Sequence, residues 1–230
     1  MSPSIGADGE RADGEKNVRL SVTEIYASIQ GESTHSGRPC TFVRLAGCPL
    51  RCRWCDTTYS FTEGTVMSLA EVLDRVASMG LELVEVTGGE PLAQPGCPAL
   101  LEALCEAEHE VLLETSGAYP FAAIDSRVRI IADLKCPGSG EAHRNLLADL
   151  GQLRPVDELK IVAADRKDLD WALTCLQNEL KGLRATVLWS PVHGELPPAD
   201  LADWMLSNKA PGRLQVQLHK VLWPQRDRGV

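Results

Sequence analysis

Short strand-like apolar runs alternating with longer amphipathic helical stretches predict an α/β fold, a partial (β/α)6 barrel in a single domain. Three observations carry that expectation. The 230 residues suffice for one layered α/β domain. Hydrophobic residues are 44% and charged residues 24%, an ordinary balance for a folded globular chain. Segments rich in Gly, Pro, Ser, Thr and charge follow the strand-like runs, where parallel α/β folds carry their chemistry.

Residues 1–17 are rich in Gly, Asp and Glu without periodicity and are expected to be a disordered tail. The barrel domain is expected over 18–224, with 225–230 as a C-terminal tail. Thr41–Ala46 is the first core strand, followed by GCPLRCRWCDTT. The helix Ser68–Met79 opens on a Ser68/Glu71 capping box and carries Leu69, Val72, Leu73 and Val76 on one face. Leu83–Thr87 is the second strand and runs into GGEP; a helix over Pro98–Ala107 comes next. Val111–Glu114 is the third strand, Pro120–Ile124 one turn, and Val128–Ala132 the fourth strand, leading into DLKCPGSGE. A helix over Glu141–Leu150 precedes the fifth strand, Leu159–Ala163. Asp165 is the expected N-cap of a helix over Arg166–Leu180. Ala185–Trp189 is the sixth strand, before SPVHG; a helix over Pro198–Ser207 and a final strand over Leu214–Leu218 complete the pattern. Such alternation means βαβ units with right-handed crossovers and a parallel sheet.

Twenty-three Lys and Arg against 32 Asp and Glu leave a net charge of −9. So acidic a chain has little non-specific grip on nucleic acid or anionic membranes, though a local pocket can still bind a small anion. No apolar run is long enough to span a bilayer, and the first seventeen residues lack a signal-peptide core. The expected location is the cytoplasm.

Three of the eight cysteines crowd into one loop as Cys48-x-x-x-Cys52-x-x-Cys55. Thiolates select zinc, Cu(I) or iron–sulfur clusters. Structural zinc wants four ligands, usually in two separated pairs, and no second pair follows. Three ligands to a cubane of four irons leave one iron open. Cys40 would sit at the opposite end of its strand and is not expected to be a ligand. Cys105 and Cys175 lie among apolar residues and read as small buried hydrophobes.

This CxxxCxxC loop after the first strand resembles the radical S-adenosylmethionine superfamily, and Gly88-Gly89-Glu90-Pro91 resembles its GGEP segment. A finer resemblance, over roughly residues 22–224, is to the 7-carboxy-7-deazaguanine synthases. It rests on Glu24–Glu32, Gly37-Arg38-Pro39, Phe42–Cys48, Cys55-Asp56-Thr57, Thr87–Leu92, Asp133–Gly140 and Leu218-His219-Lys220. The resemblance implies a [4Fe-4S] cluster on Cys48, Cys52 and Cys55, S-adenosylmethionine on its open iron, and Mg²⁺ with Thr57 as a ligand. It implies a radical ring contraction of 6-carboxy-5,6,7,8-tetrahydropterin with loss of ammonia, in queuosine and 7-deazapurine biosynthesis.

Cofactor contacts implied in the same way are Gly89, Glu90, Ser116, Lys135, Cys136, Pro137, Ser190, Pro191, Val192 and His193. Implied substrate contacts are Ile29, Gln30, Gly31, Glu32, Arg44, Thr87, Glu114 and His219, the last on the final strand. The chemistry suits these roles: the Arg44 fork can hold a carboxylate, and the amide of Gln30 and carboxylate of Glu32 can pair with a pterin edge. A hydroxyl such as that of Thr57 is a weak ligand for a hard cation, so other oxygens must complete the shell. The resemblance further implies an external electron donor such as flavodoxin or ferredoxin, and a homodimer. In some members of the family the chain stops at a proline soon after the residue that His219 matches; here Pro224 is followed by 225–230. The alternatives are a glycyl-radical-enzyme activase, with an open protein-binding face, and a zinc-bound interaction module.

Overall fold

In the computed structural model, residues 18–230 are described, so the expectation for 1–17 lies outside the described residues. Among the described residues one nine-stranded sheet curls around a central lumen in the order β3-β1-β2-β4-β5-β6-β7-β8-β9, with β1 at Arg19–Ile29 and β3 at Thr65–Ser68. Its parallel part is β2 (Pro39–Leu45), β4 (Leu83–Gly88), β5 (Glu110–Thr115), β6 (Arg129–Lys135), β7 (Glu158–Ala163), β8 (Thr186–Pro191) and the short β9 (Arg213–Leu214). Six of these are the core strands that the apolar runs predict. The sheet does not close: β3 and β9 are its two edges.

Alternation along each strand separates two environments. On β4, Val84 and Val86 point outward into the apolar layer beneath the helices, while Glu85 and Thr87 line the lumen. The helices are α1 (Leu69–Met79), α2 (Cys97–Glu106), α3 (Leu147–Leu150), α4 (Arg166–Gln177), α5 (Pro198–Asn208) and α6 (Leu218–Leu222). The α1 capping box forms as its sequence predicts: Ser68 N donates to Glu71 Oε2 at 2.7 Å, and Glu71 N donates to Ser68 Oγ at 3.3 Å. Gly80, at φ 67°, ends that helix in the left-handed conformation. Asp165 caps α4 by accepting from Asp168 N at 3.0 Å. Cys40 and Phe42 on β2 belong to a smaller apolar cluster with Leu83, Leu112 and Ile131, and Tyr26 stacks on Phe42 at 5.2 Å.

The structure adds two strands to the expected set. β1 (Arg19–Ile29) pairs antiparallel with both β2 and β3 (Thr65–Ser68). A bulge between Val22 and Glu24 shifts the phase of β1, so its alternation is broken midway and no continuous apolar run marks it.

Three other expectations need correction. Glu141–Leu150 is not one helix but a 3-10 turn at Ala142–Arg144 followed by α3. Asn145 interrupts it, because its side chain accepts from Lys135 N and donates to Lys135 O, both at 2.9 Å. Helix Arg166–Leu180 ends at Gln177. The final strand is only Arg213–Leu214, and Leu218–Leu222 is helical, so His219 lies on α6 rather than on a strand. The chain leaves the sheet there because Leu218 N donates to Gly31 O at 3.0 Å, and Gln215 Oε1 accepts from Ser33 N at 2.8 Å.

Candidate active site

The loop after β1 closes the lower end of the lumen. β1 runs antiparallel to β2, so Gln30 emerges beside the N-terminal ends of the parallel strands. His35 and Arg38 both reach Glu110 at the start of β5, at 3.1 and 2.7 Å. Thr34 N donates to Glu158 Oε1 at the start of β7, at 3.0 Å. Thus anchored, the loop points Gln30 and Glu32 up into a cavity of about 540 Å³.

The walls of that cavity are polar. Gln30 is fixed at both ends: its Oε1 accepts from Glu32 N at 2.9 Å, and its Nε2 donates to Glu85. Lys160 on β7 meets Glu32 at 3.0 Å, Glu114 in close contact, and Asp133 Oδ1 at 3.6 Å. Thr87 Oγ1 donates to Glu114 at 3.0 Å. Full burial, with Glu114 nearby, raises the Glu85 carboxyl well above its ordinary range. Arg44 on β2 donates through Nε to Glu24 and through Nη2 to Tyr26, both at 2.8 Å. Among the described residues its Nη1 has no protein partner, and Arg44 lines the cavity.

At the upper end, Cys48, Cys52 and Cys55 are free, half-buried thiols that line the same cavity. Their loop is tied down on all sides. Gly47 N donates to Ser60 O at 2.7 Å, Arg51 N to Glu141 Oε1 at 2.7 Å, and Arg53 N to Ser139 O at 3.0 Å. The GGEP turn packs beneath it without room for a side chain. A Cβ on Gly89 would lie 2.4 Å from Gly47 O and 2.6 Å from Cys48 Cβ. Glu90 is wholly buried and accepts from Leu92 N at 2.9 Å, Thr115 Oγ1 at 2.9 Å and Ser116 N at 2.7 Å.

Residues 43–138 match the Radical SAM superfamily. The 7-carboxy-7-deazaguanine synthase of Chlorobaculum tepidum is 45% identical, over 92% of this chain and 97% of that one. The enzyme of the same name from Koribacter versatilis is 40% identical, over 92% of this chain and 100% of its own. The chain belongs to the 7-carboxy-7-deazaguanine synthase family. It is a radical SAM enzyme, and the alternatives of a zinc-bound module and a glycyl-radical activase give way to that finding. The crystal structure of QueE from Escherichia coli shares the fold, with a TM-score of 0.76 at 20% identity, covering 93% of this chain and 100% of that chain.

Membership of the radical SAM superfamily implies a [4Fe-4S] cluster and S-adenosylmethionine, and the residues fit both. Cys48, Cys52 and Cys55 would each supply one thiolate to the cluster, and all three face the same cavity. Burial raises the Cys52 thiol, and the Lys135 ammonium pulls it the other way, a counter-charge suited to an anionic cluster. Cys40 is buried at the far end of β2 and does not line the cavity.

Residues that the family resemblance singles out are mostly gathered on this one cavity. Ile29, Gln30, Gly31, Glu32, Arg44, Thr57, Thr87, Gly89, Glu114, Ser116, Lys135, Pro191, Val192, His193 and His219 all line it. Glu90 lies just behind, holding Thr115 and Ser116. Cys136 and Ser190 are buried outside the lining, and Pro137 is exposed on a 3-10 turn. Burial pushes the His219 imidazole down, against the opposing pull of Glu32. The last residues fold back over the mouth: Arg228 clamps Glu63 at 2.8 Å and lies over the Tyr59 ring, and Tyr26 Oη donates to Val230 O at 3.1 Å.

Glu85, Asp133 and Lys160 were not among the expected site residues, although Asp133 opens one of the matching segments, yet they line the interior of the lumen. Their signal is present in the sequence. Each is a charged residue at an inward position of an otherwise apolar strand run, LVEVT, IIAD and LKIVA.

Proposed function

We propose that the lumen binds 6-carboxy-5,6,7,8-tetrahydropterin and that the chain converts it to 7-carboxy-7-deazaguanine and ammonia. Product and ammonia together contain all the atoms of the substrate, so a hydrogen borrowed at C6 is given back. Cys48, Cys52 and Cys55 would hold the cluster at the upper end, and with S-adenosylmethionine bound there it would supply a 5′-deoxyadenosyl radical. The observation that carries the reading is one cavity with a polar, carboxylate-rich floor at one end and the three-cysteine loop at the other.

Each end has its task. Gln30, Glu32 and Glu114 present acceptors to the amino and ring N–H edge of the pterin, with Thr87 orienting Glu114. The Nη1 of Arg44 takes the substrate carboxylate, and Ile29, Gly31 and His219 pack on the ring. This fixes the substrate carbon near the cysteine loop, where positioning matters as much as affinity. The backbone around Gly89, held by Glu90, contacts the cofactor's methionine group. Ser116, Lys135, Cys136, Pro137, Ser190, Pro191, Val192 and His193 form the rest of the cofactor's surroundings, Cys136 and Ser190 through backbone. Thr57, whose hydroxyl now donates to Asp56 at 2.9 Å, contributes an oxygen to Mg²⁺ beside the substrate carboxylate.

The reading includes reduction by a small electron carrier such as flavodoxin or ferredoxin, a homodimer, and a cytoplasmic setting. No described helix is long and apolar enough to cross a membrane. It treats 18–224 as the barrel domain and 225–230 as a tail. Anaerobic calorimetry on cluster-loaded protein tests the site. Wild type should bind the pterin, and Arg44→Ala should bind it at least about tenfold more weakly, while both bind S-adenosylmethionine alike. Equal pterin affinities would remove Arg44 from the site. Thr57→Ala should shift the Mg²⁺ titration of turnover, and an unchanged titration would remove Thr57.

A further inference from the structure

We propose that Lys160 is a positioning residue for this reaction, holding Glu114 as a carboxylate acceptor and Glu32 beside it at the floor of the lumen. The inference rests on the reading that the lumen binds the pterin. Lys160 projects from β7 with its side chain 7% exposed, and its ammonium touches Glu32 from the β1 loop and Glu114 from β5. It also faces Asp133 from β6. Glu85 on β4 and His219 on α6 face the same carboxylates, with Arg44 on β2 as another cation and Lys135 on β6 beside Asp133 and Lys160.

Among these groups Lys160 alone bridges Glu32 and Glu114. Asp133 Oδ2 is taken by Lys135 at 2.6 Å, and Arg44 is taken by Glu24 at 2.8 Å. Burial by itself would raise the Glu114 carboxyl; the adjacent ammonium and the Thr87 hydroxyl overcome that and bring it down. Glu85 is the contrast within the same lumen: among the described residues its carboxyl has no direct cation contact, and burial drives it up. Without the ammonium, Glu114 would follow Glu85, carry a proton, and offer a donor where the pterin edge needs an acceptor.

The test is pterin binding to protein loaded with cluster and S-adenosylmethionine, measured by anaerobic calorimetry between about pH 6 and 9. Wild type and Lys160→Arg should bind 6-carboxy-5,6,7,8-tetrahydropterin with an affinity that varies little over this range. Lys160→Met should bind about tenfold or more weakly at pH 6 and recover as pH rises and Glu114 ionises. A merely structural role would give a uniform loss. If Lys160→Met cannot be loaded, Lys160→Gln, which keeps a polar group in the lumen, is read in the same way. A flat profile in the neutral variant, whether weak or strong, or the same pH slope in Lys160→Arg, would overturn the inference while leaving wild-type binding intact. No binding by wild type at any pH would overturn the pterin reading and this inference with it.

Discussion

Gly31 packs so closely on His219 that a Cβ at Gly31 would lie 2.9 Å from His219 Nδ1 and 3.2 Å from its backbone nitrogen. The contact joins the floor loop to α6, and the backbone bond from Leu218 N to Gly31 O locks it at 3.0 Å. Through it, His219 and Glu32 come to the same cavity. Gly31→Ala should therefore displace His219 and raise the KM for the pterin about tenfold, because overpacking a tight contact costs about 1–3 kcal/mol. Cluster content and uncoupled S-adenosylmethionine cleavage should be unchanged. A normal KM in this variant would show that the loop and α6 move apart freely.

The Glu90 carboxylate gathers donors from Leu92, Thr115 and Ser116, and so ties the GGEP turn to the end of β5. Glu90→Gln replaces one acceptor oxygen by an amide NH₂ facing those donors. A loss of about 2–4 kcal/mol is expected, read as a lower denaturation midpoint. Weaker S-adenosylmethionine binding should accompany it, since Gly89 is adjacent. An unchanged midpoint would mean that another group satisfies these donors.

Glu85 carries a pH signature. Its carboxyl in the folded chain is raised well above the ordinary value of 4.5 by complete burial, then by Glu114. A raised carboxyl holds its proton in the folded state after the unfolded chain has released it. Its stabilising contribution is thus full below the unfolded value and is lost as pH rises through the folded one, by up to about 1.4 kcal/mol per pH unit. Glu85→Gln keeps the neutral shape and the acceptor for Gln30, and it removes this dependence. Unfolding free energies from pH 5 upward should fall more steeply for wild type than for Glu85→Gln. Parallel curves would show that Glu85 is ionised in the fold.

The six parallel core strands were legible as short apolar runs, buried on both faces, and α1, α2, α4 and α5 because each buries one face in a helical period, with caps at Ser68 and Asp165. β1 was not, because its bulge breaks the period. The last strand was over-read because LQVQL alternates like a strand, while the backbone bond from Leu218 to Gly31, which no local pattern encodes, turns it into α6. At the site, the three cysteines were legible from spacing alone. The identity of the floor was not. Lys160 and Glu85 each look like a stray charge within an apolar run until the curl of the sheet brings three strands and the β1 loop together at one ammonium.

The central claim is that this cavity converts a carboxylated pterin by a radical that is returned at the end of each cycle. The direct measurement is product formed per S-adenosylmethionine in anaerobic, reconstituted protein supplied with the pterin, Mg²⁺ and a reductant. The expected result is 7-carboxy-7-deazaguanine and ammonia in equal amounts, with many products formed for each S-adenosylmethionine consumed. Cys40→Ala should retain this activity, and Cys48→Ala, Cys52→Ala and Cys55→Ala should each lose both cluster and product. Wild-type protein that carries its cluster and cleaves S-adenosylmethionine while leaving the pterin unchanged would contradict the account.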